Sequence, residues 1–216
     1  MRSKVGTQLL HLVLLYSLIF GGKFAALQSA VEDVVGTGYL ASLSMSGTLV
    51  LIHALIAAHA AYHQTFSIKA QFGFNKTGRW LFVVDRLKSL GISLVFMAPI
   101  VLGIDYAMRT FGASWWLLGW ALWVALSLVA ILVEPSLIMP LFNRFERLSD
   151  GPLRSRVEAL VARCGVELND IFTMDGSKRS SHGNAFFTGL GPVKRIVLFD
   201  TLKGGLTDDE IEAVLP

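Results

Sequence analysis

The 216-residue chain is 53% hydrophobic, only 16% charged, and carries a formal net charge of +3 with one cysteine, Cys164. Its charged share lies well below the roughly 25% usual in globular proteins. A lone cysteine excludes a disulfide framework and a cysteine-only metal site, and the scattered basic residues, which suit short loops facing anionic lipid, form no stripe for nucleic acid.

No formally charged residue falls between Lys4 and Lys23, Asp33 and Lys69, Lys88 and Asp105, or Arg109 and Glu134. About 20 mostly apolar residues cross a bilayer, so these gaps predict four spans, near residues 5–27, 39–62, 88–108 and 114–134. Residues 1–134 are then a transmembrane region, and Lys88 and Arg109 snorkel to the interfaces of a short third span. A competing reading of the first segment is a secretory signal: basic Arg2 and Lys4, an apolar run, then Ala25-Ala26-Leu27-Gln28-Ser29-Ala30. Loop charges set the orientation. Lys69, Lys76, Arg79, Arg86 and Lys88 against Asp85 after the second span place that loop and both termini in the cytoplasm, with Trp115 and Trp116 in the outer aromatic belt.

The connection 65–87 is aromatic-rich and expected at the cytoplasmic membrane interface, and Pro99 lies within the third span. Glu134-Pro135 ends the fourth, and the composition then turns charged and mixed over residues 135–216. Leu153, Val157, Leu160 and Val161 give residues 150–165 one apolar helical face. Ile171–Met174, Ala185–Thr188 and Arg195–Phe199 read as strands between glycine-containing turns. The polar linker 175–184 is long enough to be functional. Thr207 and Glu210 form a capping box at the start of a helix whose apolar stripe is Ile211, Val214 and Leu215.

Several side chains invite chemistry. His59 and His63 stand at i, i+4 on one helix face, the spacing of a metal pair, but no acidic third ligand is near in sequence, and interfacial histidines are the simpler reading. His11 and His53 fit neutral imidazoles satisfied by neighbouring helices. His182 near Ser177, Ser180 and Ser181 suggests nucleophilic chemistry, yet Asp175 is the sole carboxylate placed to orient the ring.

Five segments together carry a resemblance. They are Phe72-Gly73-Phe74-Asn75, Pro140 to Phe145, Met174 to Gly189, Lys194 to Leu202 and Asp209 to Leu215. In that order they resemble the type I CAAX prenyl proteases, integral-membrane zinc metalloendopeptidases. Lys69 and Ala70 stand where the family usually has an acidic pair. The resemblance implies a His-Glu-x-x-His zinc helix beginning one residue past the position of Pro216, a later glutamate ligand, two further spans, and another span ahead of Met1. Zinc would there activate water for attack on a peptide carbonyl, with the glutamate between the two histidines as general base.

The chain is therefore expected to be mainly α, with four polytopic membrane helices followed by a small α+β cytoplasmic segment of an incomplete zinc-metallopeptidase domain. As a fragment lacking the zinc helix it would bind no zinc and be inactive alone, with no catalytic and no metal-ligating residue assigned. The resemblance places a substrate groove at Asn184, Ala185 and Phe186, with His182 beside it, on an edge strand that pairs with an extended peptide. The expected partners are a hydrophobic or lipidated peptide and membrane lipid. A bacterial inner membrane is expected in preference to the endoplasmic reticulum, from the Ala/Gly-rich helices and compact loops. The alternative is a non-catalytic membrane binding or scaffold module that keeps the groove.

Overall fold

The computed structural model describes residues 6, 12–13, 16–17, 20–165, 168–189 and 194–214. The chain divides into two compact units, residues 1–68 with 80–126, and residues 69–79 with 127–216.

The first unit is helical. Ten of the 23 residues of the predicted span 5–27 lie outside the described residues. Its last five residues instead open a separate helix, α1 (Lys23–Val35), which starts after Gly22 at φ 68° and stops at Gly36 at φ 77°. Both glycines adopt the left-handed backbone that other residues avoid, so the chain turns sharply and α1 packs on α2 (Tyr39–His63). α3 runs from Arg79 to Thr110 through Pro99, and α4 from Trp115 to Val133. With their flanking turns, three segments among the described residues are long and apolar enough to cross a membrane: Tyr39–Lys69, Arg79–Thr110 and Gly112–Phe142. The third span thus begins nine residues before the predicted residue 88. The charges of 79–88 sit on its opening turns, where the Arg86 guanidinium lies 5.2 Å over the ring of buried Phe82. At Gly119 a Cβ would meet Ile104 Cγ1 at 3.5 Å, so the missing side chain brings α3 and α4 close.

The second unit is α+β. After α4 the chain continues through a wide turn at Glu134–Ile138 into the short α5 (Met139–Phe142). Strands β1 (Phe145–Arg147), β2 (Asp170–Met174), β3 (Ala185–Thr188) and β4 (Arg195–Phe199) form one sheet in the order β1-β2-β4-β3. β2 and β4 are parallel, and both outer pairs are antiparallel. Ile171, Ile196 and Leu198 share one face with Ala185 and pack against Leu153 and Val157 of α6 (Pro152–Arg163), Leu202 of α7 (Asp200–Gly205) and Ile211 of α8 (Asp208–Val214). The capping box is formed: Thr207 N–H donates to Glu210 Oε2 at 2.8 Å, and Glu210 N–H to Thr207 Oγ1 at 3.4 Å. Leu215 and the Val214 side chain lie outside the described residues, whereas Ile211 is buried.

Candidate functional site

β3 ends the sheet. Its sequence, Ala-Phe-Phe-Thr, is β-prone, and it pairs on one side with β4, Ala185 opposite Leu198 and Thr188 opposite Arg195. Among the described residues no strand covers its other side. Backbone groups of an antiparallel strand point alternately to the two sides. Phe199 N–H donates to Asn184 O at 2.9 Å, so residues 184, 186 and 188 address β4, and Ala185 and Phe187 present their N–H and C=O groups to the open edge. Of the residues the resemblance places in the groove, Asn184 and Phe186 turn their backbones to β4, with the Phe186 ring edge-on to Phe199 at 6.1 Å, while the backbones of Ala185 and Phe187 face outward. Phe187 carries no distinguishing sequence signal, since it follows only from the strand register.

The Asn184 side chain shields the first open position. Its Oδ1 accepts the Ala185 N–H at 2.9 Å. Swinging that amide aside would trade one hydrogen bond for another and free the Ala185 donor. His182 sits at the strand's approach. Its carbonyl accepts the Thr201 hydroxyl at 2.8 Å, its N–H donates to Ser180 Oγ at 3.2 Å, and its ring lies 4.0 Å from that of Phe74. Gly183 must be small, because a Cβ would stand 3.1 Å from Leu202 Cδ1 and 3.2 Å from its Cα.

The preceding turn is fixed by charge. Asp175 Oδ1 accepts the Arg144 N–H at 2.7 Å, and its Oδ2 pairs with Lys178 Nζ at 2.5 Å. The Arg179 guanidinium donates to Asn143 Oδ1 at 2.7 Å and to the Phe142 carbonyl at 2.6 Å. Ser177 gives its hydroxyl to Asp200, while His182 stacks on Phe74, so the serine-histidine pairing considered above is not assembled. Among the described residues no three His, Cys, Asp or Glu side chains gather where they could hold a metal ion, and His59 and His63 gain no third ligand. Zinc therefore has no fitting donor set among the described residues. His11 lies outside the described residues.

A polar knot in the first unit went unrecognised in the sequence although its i, i+4 spacing was visible. Arg109 pairs with Asp105 at 2.7 Å, Ser42 Oγ donates to Asp105 at 2.9 Å, and the guanidinium lies 5.0 Å over Tyr39. It borders a cleft of about 710 Å³ that Gln28 and Glu32 also line.

Comparison with known proteins adds a second kind of observation. Residues 1–144 match the family model described as CAAX prenyl protease N-terminal, five membrane helices, and residues 147–216 match peptidase family M48. CAAX prenyl protease 1 of Saccharomyces cerevisiae is 41% identical over 178 residues, which is 81% of this chain and 39% of the yeast protein. The CAAX prenyl protease 1 homolog of Arabidopsis thaliana is 41% identical over 154 residues, 71% of this chain and 36% of that protein. The crystal structure of S. mikatae Ste24p superposes with a TM-score of 0.86 at 33% identity, covering 99% of this chain and 51% of that one. The chain thus spans well under half the length of the curated relatives it matches. These relatives come from yeasts and a plant, so the expected bacterial membrane gains no support: Ala- and Gly-rich helices reflect close packing, which every membrane demands.

Proposed function

This chain belongs to the CAAX prenyl protease family of M48 peptidases, and from that membership we propose that it contributes the membrane helices and the substrate-docking edge of a membrane metalloprotease. The protease acts on prenylated or otherwise hydrophobic, membrane-associated proteins, and its zinc chemistry resides outside these 216 residues, which contain no His-Glu-x-x-His. Residues 1–134 are its transmembrane region and 135–216 the beginning of its peptidase domain, facing the cytoplasm. The eukaryotic relatives favour the endoplasmic reticulum as its membrane.

One observation carries the docking role: the edge of β3 that no described residue pairs, with Ala185 and Phe187 turned outward and Asn184 and His182 at its approach. An extended peptide added there gains main-chain hydrogen bonds whatever its sequence, while Phe186 braces the strand from behind. The test uses labelled peptides carrying a single backbone N-methyl group at successive positions. Binding should weaken several-fold at alternate positions only, since each methyl removes a donor worth about 0.5–1.5 kcal/mol net. Phe187→Pro removes an open-edge donor without touching the β3–β4 ladder and should weaken binding similarly. Uniform sensitivity to N-methylation, or indifference to it, refutes docking on this edge.

A further inference from the structure

We propose that Phe72, Phe74 and His182 form an aromatic shelf that receives one bulky apolar side chain of the peptide docked along β3. The inference rests on the edge-strand reading above and adds a specificity subsite to it.

The three rings form a ladder. Phe72 and Phe74 stack at 6.3 Å with an interplanar angle of 19°, and Phe74 lies 4.0 Å from His182 at 37°. Two of the rings stay open to solvent, Phe72 by 64% and Phe74 by 37%. Exposed phenylalanines are unremarkable on a slack loop, but this backbone is held. Asn75 bridges Ser180, Lys76 N–H and Thr77 Oγ1 both donate to the Arg179 carbonyl at 3.2 Å, and Ser181 N–H donates to the Phe74 carbonyl at 3.3 Å. After the turn at Phe72 and Gly73, residues 74–77 run along the approach to β3, joined to it by the isolated bridge at Asn75, and both belong to the same compact unit. Apolar rings are therefore displayed on an ordered frame.

Continuity with the strand selects the occupant. His182 precedes Ala185 by three residues, about 10 Å of extended chain, so a peptide following the open edge passes beside the rings. Charge selects its chemistry. Residues 69–79 carry Lys69, Lys76 and Arg79 and no acid, which disfavours a basic side chain over the rings. The nearby Lys178 is already paired with Asp175. An aliphatic or aromatic side chain gains offset stacking and buried area there.

The purified chain in detergent is titrated into fluorescent peptides of one extended sequence in which Phe, Leu, Lys or Gly is moved through each position. One position should prefer Phe and Leu over Gly by about ten-fold, the scale of burying one large apolar side chain, with no such gain for Lys. Phe74→Ala should bring that ratio to about one, and the milder Phe74→Leu and Phe72→Ala should leave intermediate ratios, which guards against simple misfolding. Positionally selective peptides whose preference survives in Phe74→Ala overturn the shelf while leaving the edge intact. Binding without any positional preference does the same. No binding of any peptide by the unaltered chain overturns the edge reading, and the shelf with it.

Discussion

Replacing Gly176 by alanine isolates how the turn before the site supports it. Gly176 is buried in the tight turn Gly176–Lys178. A Cβ there would lie 3.0 Å from Phe199 Cε2 and Cγ and closer still to Cδ2. Carbon atoms rest at about 3.5–4.0 Å, so the Phe199 ring must retreat by roughly 1 Å or the turn must open. Ser177 N–H donates to Asp200 Oδ1 at 2.8 Å, which resists opening. Overpacking of this kind costs about 1–3 kcal/mol. For a chain of this length each kcal/mol moves the midpoint by roughly 2–4 °C, so a thermal unfolding scan in detergent should show a fall of several degrees. The strain should also reach the edge strand, because Phe199 holds Asn184 through its N–H and Phe186 through its ring. Peptide affinity should therefore drop in the same variant. Adding Phe199→Leu makes room, and the pair should be less destabilised than the sum of the singles, a coupling that only neighbouring groups show. A Gly176→Ala protein with an unchanged midpoint, or strictly additive doubles, would refute the steric argument.

Asp170 offers a second test. Its buried carboxylate meets Arg147 at 2.5 Å, Arg154 at 3.0 Å and the Ile171 N–H at 2.8 Å. Asp170→Ala leaves Arg154 with Glu158 and the Leu148 carbonyl, and Arg147 is largely exposed, so the loss should be about 2–3 kcal/mol, below the roughly 3–5 kcal/mol of a fully buried pair, with Asp170→Asn milder in denaturant titrations. The third concerns acid. The Thr207 N–H and then its hydroxyl hold Glu210 below the usual carboxylate range. Its contribution is thus present above the unfolded-state pKa and lost as pH falls through the lower folded value. Protection of the Ile211 amide, which donates to the Thr207 carbonyl, should fall as pH drops below the ordinary glutamate range of about 4.3. Glu210→Gln should lack that acid-dependent component; equal pH dependence in both proteins contradicts the assignment.

What the sequence disclosed followed from local signals. Uncharged stretches marked the long helices, and β-prone runs between glycine turns placed β2, β3 and β4 to within one residue. Misplacements arose where the local signal pointed elsewhere. Arg79, Asp85, Arg86 and Lys88 look like loop charges, yet they occupy the first turns of α3, where a long helix leaves the apolar core. β1 has three residues, too few to display a period, and α7 contains Gly204 and Gly205, which argue against a helix. The site itself is harder to read. Whether a strand is central or at an edge depends on sheet order, and β4 entering between β2 and β3 is a long-range fact. The meeting of Phe74 with His182 joins residues 108 positions apart, beyond any windowed pattern.

The polar residues around β3 invite a catalytic reading, and the structure spends them otherwise. Asp175 holds Arg144 and Lys178, Arg179 holds Asn143 and the Phe142 carbonyl, Ser177 holds Asp200, and Thr201 holds the His182 carbonyl. Three of these contacts end on backbone, at Arg144, Phe142 and His182, and together with the side-chain pairs they tie down the turn that leads into the strand. What stays available at the edge is main chain at Ala185 and Phe187, one displaceable amide at Asn184, and the ring faces of Phe72 and Phe74. Main-chain groups recognise extension but not identity. Selectivity on this surface must then come from what the rings admit, and rings on a held frame discriminate by size and polarity, not by sequence. On the docking proposed above, that division of labour lets affinity rest on backbone extension and one apolar side chain, features that peptides of different sequence can share.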